Sequence, residues 1–180
     1  MKKLTTILIS LVCLIALAAS ALASEDLVFT KRGFHGGQTL PVYFGPGHEY
    51  GRGANGYAKA STDDAVYAAG TENGWALVMY ETSGGSVRVG YVDMQQFYYN
   101  TNVLRLQELS FDYARATITQ SCTLTDDPML NKRDLAFLSQ GTRVTYLASL
   151  YLHRNWAYIE TWVDGRPMRA FVPDECVTLN

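Results

Sequence analysis

The sequence predicts an all-β protein made of two copies of one small domain, and three observations carry this. From residue 25 onward, short apolar segments alternate with clusters of Gly, Asn, Asp and Pro, the pattern of strands and turns. Helical periodicity is nearly absent. The stretch NGWALV (73–78) returns as RNWAYI (154–159).

The elements follow in order. Lys2 and Lys3 precede an apolar run from about Leu4 to Ala19, and small residues stand at Ala21 and Ala23. This reads as a secretory signal peptide over residues 1–23, cleaved after Ala23. The run is short for a membrane-spanning helix, which needs about 20 apolar residues. Strands are predicted at Leu27–Thr30, Leu40–Tyr43, Val66–Ala69, Trp75–Tyr80 and Val87–Val92. A second set is predicted at Arg115–Thr119, Thr123–Thr125, Arg143–Leu147, Trp156–Thr161 and Met168–Val172. Ser83–Gly85 and Val163–Pro167 sit between strand-like runs, and Gly and Asp-Gly supply the positive φ that hairpins require. Thr101–Tyr113 is the best helix candidate and reads as a connector. Sixteen residues separate Trp75 from Tyr91, and fifteen separate Trp156 from Phe171. Each copy therefore closes on a small–aromatic–Val triplet, GYV (90–92) or AFV (170–172). An offset near 80 residues makes each repeat a small domain rather than one turn of a solenoid. The expected division is residues 24–98, a connector at 99–112, and residues 113–180.

Removing residues 1–23 leaves 157 residues with 13 basic and 17 acidic side chains, a net charge near −4. No basic stripe is present, so nucleic acid is not an expected partner. No later apolar run is long enough to span a membrane. Two cysteines remain, Cys122 and Cys176. Outside the cell such a pair reads most simply as one disulfide, with two separate buried thiols as the other reading. If the first and last strands of the second copy pair antiparallel, the two sulfurs approach.

The order of these elements resembles a bacterial SH3 domain, present twice. The residues that carry the resemblance are VYFGPG (42–47), ENGWALV (72–78) and VGYV (89–92) in the first copy. In the second they are CTLTDDP (122–128), NWAYI (155–159) and AFVP (170–173). The first copy also carries YGRGANGYA (50–58); the second lacks that loop and has Ala170 where the first has Gly90. The resemblance implies tandem SH3-like barrels of small packed sheets. It also implies a binding or targeting role, often toward peptidoglycan. It places Tyr43, Tyr50, Trp75 and Tyr91 around a ligand groove in the first domain, and Trp156 and Phe171 around one in the second. Arg52 is a candidate polar contact, although its loop is first of all a turn.

Chemistry beyond binding is not expected. A cysteine peptidase needs a thiolate, a histidine base and an orienting group, and Cys122 sits in a strand-like segment rather than at a helix start. The Asp pairs at 63–64 and 126–127 read as turn residues. His35, His48 and His153 are scattered, so no metal or other cofactor is expected. Strand alternation puts Trp75 and Leu77 on one face and Ala76 and Val78 on the other. Small Ala and β-branched Val suit a tight interior, which turns Trp75 toward the groove; Trp75 closing one end of the domain is the other reading. The expectation is a secreted or surface-associated, monomeric, non-enzymatic binder of a cell-wall glycan or peptide. The alternative is an extracellular adaptor or inhibitor acting on a protein partner.

Overall fold

A computed structural model of the chain describes residues 26–32, 36–96, 105–129 and 133–180. The leader predicted at residues 1–23, His35, and much of the predicted connector lie outside the described residues. The protein is all-β. The N-terminal half contributes β1 (Thr30–Arg32), β2 (Thr39–Pro41), β3 (Lys59–Ser61), β4 (Val66–Glu72), β5 (Trp75–Glu81) and β6 (Val87–Asp93). The C-terminal half contributes β7 (Ala114–Ile118), β8 (Cys122–Leu124), β9 (Ala136–Leu138), β10 (Arg143–Tyr151), β11 (Asn155–Val163), β12 (Arg166–Pro173) and β13 (Val177–Leu179). Ten of these overlap predicted segments, β1 at Thr30 alone; β3, β9 and β13 are three-residue strands with too little alternation to stand out.

The halves repeat one plan. In each, a short strand pairs with the first strand of a three-stranded antiparallel meander, giving β1-β4-β5-β6 and β7-β10-β11-β12. In the second half, β13 adds to the outer edge of β7. A separate two-stranded ribbon accompanies each meander, β2-β3 and β8-β9. The first meander strand bulges in both halves, between Ala68 and Gly70 and between Tyr146 and Ala148, and a bulge bends a strand locally. A 3-10 turn follows the third strand of each meander, at Met94–Gln96 and Asp174–Cys176. An isolated bridge closes each half, Tyr43 to Tyr91 and Thr125 to Phe171. The turns obey the expected chemistry: Asn73-Gly74 and Asp164-Gly165 all have positive φ, as a tight hairpin needs.

Period-two alternation sorts side chains into three cores. Ala76 and Val78 point into the N-terminal half, with Leu40, Val42, Val66 and Val92. Ala157 and Ile159 point into the C-terminal half, with Ile118, Leu124, Val144 and Val172. The opposite faces of the same strands meet each other. Trp75, Leu77, Val89 and Tyr91 join Leu147, Leu150, Trp156, Tyr158 and Phe171 in one buried cluster, so the halves share a seam. Residues 107–112 run along it: Leu109 N–H donates to Thr71 O at 2.7 Å, and Asp112 N–H to Leu147 O at 2.9 Å. A side chain at position 70 would meet Gln107 O at 2.7 Å and Leu109 at 2.8 Å, so this close approach requires Gly70.

Candidate functional site: a sealed seam and an open cleft

The sequence directs attention to the aromatic faces, and the structure presses those faces together. Tyr91 and Phe171 have no exposed surface and Trp156 has 1%. Three of the seven expected ligand contacts therefore offer nothing to a ligand in this arrangement. The Trp156 indole N–H is buried without a hydrogen-bond partner, and the Arg154 guanidinium lies over its ring at 5.0 Å. Trp75 is 9% exposed and meets Tyr43 and His48 edge-on, with ring centroids 5.2 and 5.0 Å away.

Two quasi-equivalent hydrogen bonds hold the seam. Val89 N–H donates to Asp126 O, and Arg169 N–H donates to Phe44 O, both at 2.9 Å. Each third meander strand thus reaches the segment that follows the other half's first ribbon strand. The Arg169 side chain then crosses into the N-terminal half. It donates to Glu160 at 2.6 Å and to Glu72 at 2.5 Å, and its guanidinium lies 5.4–5.8 Å from the ring centres of Tyr50, Tyr91, Phe111 and Tyr113. Tyr50 donates to Glu160 at 2.8 Å, while Tyr91 and Tyr113 donate to Glu72 at 3.2 and 2.5 Å. Burial is the main cause that pushes the Tyr50 hydroxyl up to about 12 and Tyr91 well above its ordinary value. Tyr50, expected to meet a ligand, instead meets Glu160 and Arg169 of the other half. Arg52 is likewise engaged, donating to Ala58 O at 2.8 Å across the base of its loop.

That loop borders the open site. A cleft of about 380 Å³ lies between Ala54–Ala58, β3, the end of β5 and, from the other half, Asp126 and Arg133. Tyr57 stands at its rim, 77% exposed. At its wall Arg88 pairs with Asp127 at 3.1 Å and approaches Asp126 at 3.5 Å, a second ionic tie between the halves. Burial raises the Asp126 carboxyl above the ordinary carboxylate range, opposed by Arg88 and Arg133. Burial, aided by Asp126, lifts the Tyr80 hydroxyl to about 12. Lys59, Arg88 and Arg133 and the acidic Asp64, Glu81 and Asp126 all line this cleft. Such a lining can hold a ligand carrying both charges, and Tyr57 can cover an apolar face of it. Sequence reasoning singled out the loop and counted Tyr57 among its aromatics without assigning it a ligand contact, and it missed Tyr80, Arg88 and Arg133. The one signal available was the exposed-type Tyr after Asn55-Gly56.

Cys122 and Cys176 meet, as the antiparallel pairing of β7 and β13 requires. They are side-chain hydrogen-bond neighbours in the second core, carried as two thiols rather than as a bridge. Burial first, and Cys176 beside it, push the Cys122 thiol up to about 12. Among the described residues no three His, Cys, Asp or Glu side chains group as metal ligands, and no helix is long and apolar enough to cross a membrane.

Searches against protein-family models, curated proteins and solved structures returned no match for this chain.

Proposed function

We propose that the chain is a secreted, non-enzymatic binding protein for a cell-envelope ligand, a peptidoglycan glycan-peptide fragment. Each half is an SH3-like barrel, and the two are fused back to back through their aromatic faces. The repeated strand order, bulge and closing bridge support the first point; the shared core supports the second. Binding takes place in the cleft beside Arg52–Ala58 rather than in an aromatic groove. The observation that carries this reading is the cleft itself: fixed charges of both signs, held by the Arg88 pair, beside an exposed Tyr57. A cell-wall peptide bears carboxylates for Arg88, Arg133 and Lys59, and amines for Glu81 and Asp64. Its sugar or alkyl portions have an apolar face for Tyr57.

Co-sedimentation of the purified secreted chain with peptidoglycan sacculi tests this. The wild type is expected to bind, and Tyr57→Ala and Arg133→Glu to bind at least tenfold less while remaining folded. Equal sedimentation of all three would remove the cleft from the reading. No sedimentation of the wild type, with one stoichiometric protein recovered from culture supernatant, would make the chain an adaptor.

A further inference from the structure

We propose that the C-terminal half carries a second, chemically distinct site that takes a cationic peptide side chain, an ammonium or guanidinium, between Trp162, Phe137 and Asp164. The place is the quasi-equivalent of the first cleft. Aligning Trp75 with Trp156 sets Glu81 against Trp162 and Ser83 against Asp164. β3 corresponds to β9, since each is the second strand of its ribbon. An open cleft of about 400 Å³ lies there, formed by residues 135–138 and 162–164.

Its chemistry differs from that of the first. Trp162 and Phe137 are 71% and 69% exposed, where large aromatic rings are normally covered. Among the described residues of the lining, Asp164 is the only charged one. Arg166, the cation on the same hairpin, reaches instead toward Gly51 of the other half. An indole face beside an uncompensated carboxylate attracts a cation twice, through the ring quadrupole and through charge. An anionic ligand meets only repulsion. The protein already uses this pairing internally. Arg154 lies over the Trp156 ring while bonded to Glu175 at 2.5 Å, and Arg169 sits among four rings and two glutamates. Trp162 and Asp164 present the same combination to solvent.

The site can be read without interference. Of the three tryptophans, Trp75 and Trp156 are buried and Trp162 is exposed, so a small solute perturbs the fluorescence and indole NMR signal of Trp162 alone. The full secreted chain is titrated with acetyl-Ala-Lys-Ala-amide, its Gln counterpart and chitotriose. The Lys peptide is expected to saturate the Trp162 signal at about two- to fivefold lower concentration than the Gln peptide. Asp164→Asn should weaken that preference to what the indole face alone gives; Asn tolerates the left-handed φ of +50° at this position, so the hairpin is kept. Equal response to both peptides overturns the proposal, as does no response or a Lys preference that Asp164→Asn leaves undiminished. A stronger response to chitotriose makes the cleft a sugar site instead. Tyr57→Ala should leave this titration unchanged, so failure here and failure of the first cleft are separable.

Discussion

The aromatic residues of this protein divide between two regions that a composition cannot tell apart. At the seam, Tyr91, Tyr158, Trp156 and Phe171 are sealed in one buried cluster shared by the two halves. At the outer clefts, Tyr57, Phe137 and Trp162 stand mostly in water. Both groups lie on or beside strand ends, and both look like ligand platforms in one dimension. The difference is what faces them. The seam aromatics meet a second aromatic face with a buried arginine between, and the cleft aromatics stand open to solvent, Tyr57 beside charged neighbours and Trp162 beside Asp164. Burying an aromatic ring removes 150–250 Å² from water, so a face of this kind is covered wherever a matching face exists in the same chain.

Substitutions should separate the two regions by kind of effect. The largest is expected at the seam. Arg169→Ala strips the buried Glu72 of its cation and should cost about 3–5 kcal/mol in urea unfolding. Arg169→Met, which fills the space but not the charge, tests whether charge or volume holds the halves; a loss as large as that of Ala assigns the effect to charge. Oxidising Cys122 and Cys176 should add about 4 kcal/mol, because the bridge would close a 54-residue loop in the second core. Intact mass of non-reduced protein checks the bridge, and neither the sacculus co-sedimentation nor the Trp162 titration should be moved by it. Asp126→Asn should act in a pH-dependent way. The folded carboxyl holds its proton more tightly than the unfolded one, so its contribution to stability is full below the ordinary Asp range and is lost as pH rises through the folded value. The wild type should therefore gain on Asp126→Asn as pH is lowered from neutral, read from paired melting curves; a gap that widens against the wild type in acid would contradict the assignment. The smallest stability effect, within about 0.5 kcal/mol, is expected for Tyr57→Ala, although it should remove most sacculus binding. If Tyr57→Ala instead unfolds the chain, the contrast between seam and cleft collapses.

Much of the fold was legible because it rests on local rules. Alternation along β5 correctly separated Ala76 and Val78 from Trp75 and Leu77, and the Asp164-Gly165 turn was readable from two residues. The repeat located equivalent strands 80 residues apart. What alternation could not say is whether the outward face meets water or another half, since apposition is a tertiary fact. One clue was present: Arg169 shares a strand face with Phe171, two residues on, and a charged residue on an aromatic face needs a buried partner. The cleft was less legible. Tyr57, Arg88, Asp126 and Arg133 lie in separate segments of both halves, and no spacing rule joins them. Glu81 and Trp162 did align within the repeat, but a difference between copies has no meaning until both are seen to line a cleft.

The reciprocal pair of seam hydrogen bonds, Val89 to Asp126 and Arg169 to Phe44, also bears on origin. Exchanging the halves maps one bond onto the other, which is the geometry of an isologous interface. A lone repeat bearing this face would dimerise about a two-fold axis, and both of its clefts would be identical by symmetry. Joining two repeats in one chain removes that constraint. Position 81 can then be glutamate while position 162 is tryptophan, so a duplicated gene gains a heterodimer's two unlike surfaces at an effective concentration no free pair of subunits reaches.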